Sequence, residues 1–304
     1  MIAEAIMQMQ QINVDPVLMI QLLVNGLLRG SIYALMAFGL TLTFGIMKVI
    51  NYAHGDFFML GAYATYFVIV LSKLDFLVAV ALSGALLLII GIAIERFILR
   101  PLRRVSGSLW VTNAFVLTLG LSLVIENSVL FVWKADARIV SGVFPGSMNI
   151  HGVVLIFQRL VILVATLLVV TSFLYFVNRT YVGKGIRATS ENEQVAKTLG
   201  LNIDFLYMLS FGIASLLAGL AGGLLLPLYG AFPSDGLEPL LKGFAVVLIG
   251  GLASIRGSLY GGLLLGVFES FATFFFSAGW NNVLVVVLVM IVLLFKPEGL
   301  FKQE

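Results

Sequence analysis

The chain has no cysteine and only two histidines, His54 and His151, in 304 residues. Without cysteine it forms no disulfide, binds no metal through thiolates and uses no cysteine nucleophile. Two histidines are too few for a histidine-rich metal site. Charged residues are also scarce, at 11% of the chain, against about 25% in an average soluble domain. So few charges cannot cover the surface of a soluble globular protein.

Sequence motifs of several enzyme classes are missing as well. The chain contains no G-x-x-x-x-G-K-[ST] loop, and the nearest string, VGKGIR, does not match it. If ATP drives this protein, another subunit must therefore hydrolyse it. The G-x-S-x-G, H-E-x-x-H and G-x-G-x-x-G signatures are absent, and no clustered basic face suggests nucleic-acid binding. We expect no catalytic site, no metal site and no cofactor bound by this chain.

Hydrophobic residues dominate instead, at 61% of the chain, with a mean hydropathy of +1.09. A helix needs roughly 20 mostly apolar residues to cross about 30 Å of hydrocarbon, and only a helix satisfies its own backbone in lipid. The sequence therefore predicts an all-α, polytopic transmembrane helical bundle forming one domain over residues 1–304. Its candidate spans are 17–47, 50–72, 76–99, 109–132, 156–177, 203–229, 238–253, 257–278 and 282–296.

The number of spans is eight to ten, because two of these segments have unusual lengths. The first is long and contains Gly26, Arg29 and Gly30, so it is either one tilted helix or two segments that meet at a break. The segment 238–253 is short and is a candidate re-entrant helix.

The distribution of basic residues predicts the orientation, since Lys and Arg in short loops stay on the cytoplasmic side. With nine spans, twelve basic residues lie inside, namely Lys48, Arg96, Arg100, Arg103, Arg104, Arg179, Lys184, Arg187, Lys197, Arg256, Lys296 and Lys302. Five lie outside, namely Lys73, Lys134, Arg138, Arg159 and Lys242, and Arg29 falls within a span. We therefore expect an external N-terminus and a cytoplasmic C-terminus, and we attribute the RPLRR cluster at Arg100 to topology alone. The first sixteen residues lack the basic segment of a cleavable signal peptide.

Small and polar residues within the spans suggest packing seams and a pathway. Four glycine pairs have the four-residue spacing that lets helices approach closely: Gly26 and Gly30, Gly219 and Gly223, Gly257 and Gly261, and Gly262 and Gly266. Thr118, Ser122 and Glu126 share one helix face that could line a pathway, although Glu126 could instead reach the interface. Thr41, Thr43 and Ser215 either line a pathway or bond to their own backbone carbonyls.

Two polar segments lie between the spans. Asn51, His54 and Asp56 precede or begin a hydrophobic run, and the sequence favours a helix start capped by Asn51 or Asp56 over metal or proton-relay chemistry. The longest polar stretch is 178–202. Within it, 190–199 is predicted to be a short amphipathic helix, with a capping box from Ser190 to Glu193 and a stop at Gly200. A helix this short is marginal alone, so we expect it to pack on a cytoplasmic partner.

Five strings occur in the chain in this order: NGLLRGSIYALMAFGLTLTFGIMKVINYAHGDFFMLGAY, RPLR, GKGIRATSENEQVAKTLGLN, GGLASIRGSLYGG and FKPEGLF. Together they resemble the membrane subunits of bacterial ABC importers for branched-chain amino acids, the Liv-type permeases, and specifically the H-type subunit. The resemblance covers about Leu22 to Phe301.

This resemblance implies a membrane-spanning permease subunit of an ATP-driven importer in the bacterial inner membrane. It implies that the coupling loop 178–202 docks on a cytoplasmic ATPase through residues at the positions of Arg187, Glu191, Asn192, Glu193, Ala196 and Gly200. The Ala and Gly spacing fits the importer coupling motif, and the rest matches more loosely. The implied assembly has two ABC ATPase subunits, which use ATP and Mg²⁺, a distinct M-type permease and a periplasmic amino-acid-binding protein.

Two other functions remain open. The resemblance also allows an ABC permease for urea or short amides, because related permeases of the same group serve those substrates. A stand-alone secondary transporter or channel would need a charge relay in mid-span, for which Arg29, Glu126 and Glu269 are the candidates.

Overall fold

The structure of the chain is a computed structural model that describes residues 15–301. The N-terminal residues 1–14, on which the signal-peptide prediction rests, and Lys302 lie outside the described residues. The helices are α1 (Pro16–Met47), α2 (His54–Ser72), α3 (Phe76–Ile94), α4 (Arg100–Ser106), α5 (Trp110–Trp133), α6 (Phe157–Arg179), α7 (Tyr181–Glu191), α8 (Glu193–Thr198), α9 (Ile203–Tyr229), α10 (Leu237–Gly250), α11 (Ile255–Phe276) and α12 (Asn281–Phe295). A π-helical turn (Glu95–Leu99) joins α3 to α4, and 3₁₀ turns precede α5 and α12.

Each predicted span corresponds to a helix within the described residues. Seven stretches are long and apolar enough to cross a membrane, and one of them, Phe76–Trp133, contains both α3 and α5. The outward faces of α5, α6 and α12 expose large apolar side chains such as Phe131, Leu168 and Leu294. Such surface would be a liability in water but is the expected surface towards lipid. The predicted all-α membrane bundle is confirmed.

Helix α1 is continuous, so the alternative of two segments meeting at Gly26 and Gly30 is excluded. It begins where Asp15 accepts a 3.1 Å hydrogen bond from the Val17 N–H and Pro16 occupies the first turn. Its 32 residues extend about 48 Å. That is longer than the hydrocarbon layer, which fits a tilted or protruding helix.

Helices α2 and α10 both begin inside the bundle. His54, the first residue of α2, packs against Gly39 of α1, which lies eight residues, or about 12 Å, before the end of that helix. Gly236, just before α10, packs against Gly55. With 14 residues, α10 is about 21 Å long and too short to cross the layer alone. The segments leading into these helices therefore re-enter the bundle, as predicted for 238–253.

The predicted cap at the start of α2 is wrong. Ala53 occupies the cap position and no side chain caps the helix. The Asn51 side chain is buried, with neither its Oδ1 nor its Nδ2 hydrogen-bonded among the described residues. The cap is missing because α2 starts inside the bundle. The packing of residues 48–53, rather than the turn that precedes the helix, sets the position of Asn51.

A short antiparallel hairpin is the exception to the all-α prediction. Strands β1 (Ser147–Ile150) and β2 (Val153–Ile156) pair Ile150 with Val153 across a two-residue turn at His151 and Gly152. Both turn residues have positive φ, of 51° and 92°, as a type I′ turn requires. Val154 N–H then donates a 2.9 Å hydrogen bond to Gln21 Oε1, which docks the hairpin on α1.

Glycines form the seam between α1 and α11, as predicted. A Cβ on Gly26 would lie 2.6 Å from Val267 Cα, and one on Gly30 would lie 2.7 Å from Gly262 O. The order of these contacts shows that the two helices run antiparallel. The other predicted pairs are also closely packed, with Gly219 against Leu87, Gly223 against Thr65, and both Gly257 and Gly261 against Gly250. Side chains at these positions would force the helices apart.

We expect Gly262→Ala to destabilise the bundle, because the new Cβ would lie 2.7 Å from Ala34 N and 2.8 Å from Ala34 Cα. Overpacking of this kind costs about 1–3 kcal/mol. The measurement is the thermal unfolding midpoint of the detergent-purified protein. Gly120→Ala is the matched control, since nothing lies within 4 Å of a Cβ there. Equal midpoints for the two variants would contradict the close seam.

Candidate functional site

Eleven of the described basic side chains lie at one end of the bundle, which we call the basic end. Here α1, α3, α6, α10 and α12 end, and α5, α9 and α11 begin. The eleven are Lys48, Arg96, Arg100, Arg103, Arg104, Arg179, Lys184, Arg187, Lys197, Arg256 and Lys296. Hydrogen bonds join these helix ends, for example from Lys48 Nζ to Ser190 O at 3.2 Å and from Trp110 Nε1 to Met47 O at 3.3 Å.

The opposite end of the bundle holds Lys73, Lys134, Arg138 and Arg159. The backbones of Arg138 and Ala231 pair there, which joins the segment after α5 to the end of α9. Lys242 does not belong to this group, so its assignment to the outside basic residues is wrong. It lies within α10 and is buried, because Glu269 on α11 offers a partner at 3.0 Å.

The predicted coupling segment forms two helices rather than one. Asn192 breaks the chain between α7 and α8, with φ −154° and ψ 104°, and its Oδ1 accepts a 3.1 Å hydrogen bond from Val195 N–H. The predicted capping box is therefore wrong, since Ser190 lies inside α7 and Asn192 is the cap. The predicted stop at Gly200 is confirmed, because this residue has φ +83° and follows the end of α8.

The six predicted coupling residues occupy different environments around this break. Ala196 is buried, whereas Glu191, Asn192, Glu193 and Gly200 are exposed and Arg187 is half-buried. The buried Ala196 anchors α8 to the bundle, and the exposed residues leave one side of the segment open. Docking of these six residues on a partner stays a prediction.

Glu193 is tied to the bundle, which sequence reasoning did not find. Its Oε2 accepts a 2.8 Å hydrogen bond from the Tyr207 hydroxyl of α9. The Tyr207 ring in turn faces the Arg103 guanidinium at 4.4 Å, a cation–π contact. The coupling segment is thus linked through one tyrosine to the start of α9 and to α4.

Arg103 extends this link to α3, which gives the RPLRR cluster a structural role beyond topology. Its Nη1 donates to Glu95 Oε1 at 3.0 Å, and its Nη2 donates to Asp204 Oδ1 at 2.8 Å. Arg100 also pairs with Asp204. We call Glu193, Tyr207, Arg103, Glu95 and Asp204 the relay. No sequence signal could have found it, because its members are up to about a hundred residues apart.

The five predicted pathway residues are all buried, and they divide into two kinds. Thr43 and Ser215 donate to carbonyls of their own helices, at Leu40 O (3.0 Å) and Phe211 O (2.9 Å), as the alternative for them proposed. Thr41 instead pairs its hydroxyl with that of Ser258 across the α1–α11 seam. These three residues therefore hold helices in place.

Thr118 and Ser122 face the re-entrant start of α2. Thr118 Oγ1 accepts from Tyr52 N–H at 3.2 Å, and Ser122 interacts with the Asp56 carboxylate. Glu126, one turn further, is half-buried on the same face. The predicted polar face of α5 is confirmed, while the pathway role of Thr41, Thr43, Thr118, Ser122 and Ser215 stays a prediction.

Two separate clefts open at the two ends. The cleft at the basic end, of 760 Å³, is lined by the ends of α6 and α7 and the start of α11, and includes the predicted coupling residues Arg187 and Glu191. The cleft at the opposite end, of 570 Å³, lies between α1, α6, α9 and α11. Between these levels, the rings of Phe38 on α1 and Phe173 on α6 pack with centroids 5.5 Å apart. This arrangement suits a protein that opens to one side of a membrane at a time.

The charges considered for an ion-driven relay do not form one. Glu269 is paired with Lys242 and accepts a hydrogen bond from Asn281, Glu126 lies near the Asp56 carboxylate, and Arg29 lines the cleft opposite the basic end. Residues 15–301 contain no group of three or more His, Asp or Glu able to hold a metal ion. The architecture is that of a polytopic membrane transport protein.

Comparison with known proteins defines the family. Residues 22–294 match the family described as "Branched-chain amino acid transport system / permease component". The chain is 34% identical over 295 residues to the high-affinity branched-chain amino acid transport system permease protein BraD of Pseudomonas aeruginosa, covering 92% of this chain and 95% of that protein. It is 31% identical over 296 residues to LivH of Escherichia coli K12, covering 92% and 94%. The chain belongs to this permease family.

Two more distant likenesses complete the comparison. The probable branched-chain amino acid transport permease protein LivH of Methanocaldococcus jannaschii is 27% identical over 298 residues, covering 92% of this chain and 91% of that protein. A solved structure, PsaBC from Streptococcus pneumoniae in complex with Fab, matches with a TM-score of 0.43 at 16% identity, covering 96% and 95%. That score is too low to support conclusions about this chain.

The buried ion pair of α10 and α11 leads to a prediction about stability. Lys242→Met leaves Glu269 buried without a cation, and breaking one side of such a pair costs about 3–5 kcal/mol. We expect a lower unfolding midpoint in detergent for this single variant. The double variant Lys242→Met/Glu269→Leu should recover most of the loss, because it leaves neither charge behind. If the double variant is as unstable as the single one, the pair is not the cause.

Proposed function

We propose that this chain is the H-type permease subunit of an ATP-driven importer for branched-chain amino acids. Two separate ABC ATPase subunits bind and hydrolyse ATP with Mg²⁺, and a distinct M-type permease completes the membrane pathway. A periplasmic binding protein delivers the amino acid. The observation that carries this proposal is the match of residues 22–294 to the branched-chain amino acid permease family. The relay, which connects the surface segment α7–α8 to α9 and the end of α3, supports the coupling role.

The orientation follows from the basic end. Eleven basic side chains lie there against four at the opposite end, a bias expected when the basic end faces the cytoplasm. We therefore place α7–α8 and the C-terminus in the cytoplasm and the N-terminus outside, in the inner membrane of a bacterium. The segment 178–202 then lies where a cytoplasmic ATPase can reach it.

The mechanism depends on how closely α9 packs against its neighbours. A Cβ on Gly212 would lie 2.7 Å from the Ile92 side chain of α3, and Gly61 of α2 meets the backbone at Gly219. Interiors packed this tightly transmit displacement rather than absorb it. When ATP draws the two ATPases together, α7–α8 moves and carries the start of α9 through Tyr207. The helices behind α9 then rock, which closes one cleft and opens the other.

An amino acid in transit needs a polar route, because leaving two charges unpaired in hydrocarbon is prohibitive. The clefts supply this route at the two ends: guanidinium groups line both of them, and the cleft at the basic end also contains the Glu191 carboxylate. Thr118, Ser122 and the buried Asn51 supply polar groups nearer the centre. The closed region at Phe38 and Phe173 must separate for the substrate to pass.

The orientation is tested by cysteine labelling, for which a chain without native cysteine is well suited. We expect Ala135→Cys, at the opposite end, to react with a membrane-impermeant maleimide applied from the periplasmic side. Gln194→Cys, in α8, should react only after the membrane is opened. The unsubstituted chain is the control and gives no signal. Labelling of Gln194→Cys from the periplasmic side would show that the proposed orientation is inverted, and α8 could then not contact a cytoplasmic ATPase.

The coupling role is tested by Tyr207→Phe in the reconstituted complex. This change keeps the ring beside Arg103 but removes the hydroxyl that binds Glu193. A hydrogen bond to a charged group is worth about 1.5–3 kcal/mol, so we expect leucine uptake per ATP hydrolysed to fall about tenfold. Glu193→Ala should behave similarly. The exposed Tyr175→Phe is the matched control.

Two outcomes would contradict this proposal. Wild-type coupling in both Tyr207→Phe and Glu193→Ala would remove the relay from the mechanism. Uptake of urea or acetamide in preference to leucine, isoleucine and valine would show that the proposed substrate class is wrong. Uptake by the chain alone, without ATPases, would instead indicate a stand-alone transporter.

A further inference from the structure

The cleft opposite the basic end contains two guanidinium groups. Arg29 lies in α1, thirteen residues beyond its first residue, and Arg159 is the third residue of α6. Arg159 Nη1 donates a 2.8 Å hydrogen bond to Asn25 Oδ1, which fixes its direction beside α1. Two cationic side chains from two helices thus converge on one cavity of 570 Å³, a volume typical of small-molecule sites.

The cleft carries two guanidinium groups, and the nearby Glu269 carboxylate, which shares Tyr33 as a neighbour with Arg29, is already paired with Lys242. The described lining contains no Asp or Glu, and Arg29 makes no hydrogen bond or ion pair within residues 15–301. The bundle treats its other intramembrane cation differently, since Lys242 is buried against Glu269 at 3.0 Å. A cation within an apolar span is costly and marks a functional group when no protein partner satisfies it. The cleft is therefore built to receive an anion.

The rest of the lining is divided by polarity. Leu28 and Phe274 contribute an apolar wall, together with Leu22 and Leu228. Tyr229 and Thr273 add hydroxyl-bearing side chains to the lining, and the Thr273 hydroxyl donates to Glu269 O of its own helix. A ligand that suits this cleft has a carboxylate at one end and an aliphatic body at the other.

We propose that this cleft receives the free branched-chain amino acid and holds it by its carboxylate, with Arg29 as the main contact and Arg159 as the second. A guanidinium can hold a carboxylate through two parallel hydrogen bonds. The aliphatic side chain then lies against Leu28 and Phe274. This inference rests on the proposed function, and adds to it that the permease recognises the carboxylate rather than the ammonium group.

The depth of Arg29 favours a free amino acid over an acidic side chain of the binding protein. Arg29 lies one helical turn, about 6 Å, further along α1 than Asn25, which bonds to Arg159 in the first turn of α6, and its side chain is half-buried. A small carboxylate reaches such a position more easily than a group fixed to a protein surface. Docking of the binding protein is kept as an outcome of the test.

The experiment uses the complete complex in proteoliposomes, with saturating leucine-loaded binding protein outside and ATP inside. We expect Arg29→Gln to lower the maximal uptake rate about tenfold, the loss of roughly one charged hydrogen bond. The binding-protein concentration for half-maximal uptake should not change. Arg159→Gln should show a smaller loss, and Arg29→Lys should restore part of the rate because it retains the charge. Lys134→Gln, exposed at the same end, is the matched control.

Competition by two leucine analogues identifies the recognised group. 4-Methyl-2-oxopentanoate keeps the carboxylate and lacks the amine, whereas 3-methylbutylamine keeps the amine and lacks the carboxylate. We expect the oxo acid to inhibit wild-type uptake, to inhibit Arg29→Gln at least fivefold less, and the amine to inhibit neither. Leucine retention by the binding protein is measured in parallel, so that displacement from that protein is recognised.

Each contrary result has a distinct meaning. A wild-type maximal rate in Arg29→Gln, or equal inhibition by the amine and the oxo acid, would overturn the proposal. A raised half-saturating concentration of binding protein with an unchanged maximal rate would show that Arg29 contacts that protein instead. If Arg29→Gln does not assemble, Arg29→Lys and the wild-type competition decide. Absence of leucine uptake by the wild-type complex would refute the proposed function rather than this inference.

Discussion

Direct backbone contact between helices is the constraint on which the rest of the bundle depends. Gly30 and Gly262 bring α1 and α11 together, and Gly219 brings α9 against both α2 and α3. In lipid no hydrophobic force favours helix association, so van der Waals contact and interhelical hydrogen bonds must hold the helices. Such contact is dense only where no side chain intervenes. The glycines are therefore what allows the protein to act as a few rigid bodies.

In a bundle of rigid bodies, a force applied at a surface contact can move helices far from that contact. The relay joins α8 to α9 through one hydroxyl, from Tyr207 to Glu193, and α9 to α3 through Arg103. If α9 were loosely packed, a pull on its first turns would dissipate within the bundle. In the proposed mechanism the same pull displaces all three helices, because α9 meets α3 and α2 at glycines. The same small residues therefore serve both the packing and the proposed coupling.

The helices were predictable from the sequence because each depends on a local property. An apolar run of sufficient length must be helical in lipid, so the positions of the spans followed from composition and length, whereas their exact number and the continuity of α1 did not. The stop at Gly200 likewise depends on one residue with positive φ. The hairpin at residues 147–156 was not predicted, because its first strand, SMNI, is half polar and shows no strand pattern.

The features that were not predictable all depend on distant partners. Asn192 and Ser190 are both good capping residues, and packing of α7 against the bundle decides between them. Lys242 was assigned to the outside basic residues, because no local pattern links it to its partner Glu269, 27 residues later. The relay joins residues up to about a hundred positions apart, and no periodicity records such pairs. The sequence indicated that 178–202 is a polar segment between helices but not how that segment is attached to the bundle.

The placement of charge within the bundle follows one rule with an informative exception. Carboxylates and cations taken out of water are stable when they pair, as Lys242 does with Glu269 and Arg103 does with Glu95. The Glu95 side chain is fully buried, and its pair also closes the helix end at the π-helical turn. Arg29 departs from the rule, and it does so at a cavity rather than at a helix seam. A transporter must bind its substrate and then release it. An unpaired cation in an open cleft attracts the substrate, and water can take the substrate's place when it leaves. In this bundle, therefore, the paired charges stabilise the contacts between helices, and the unpaired Arg29 is the charge proposed to bind the substrate in transit.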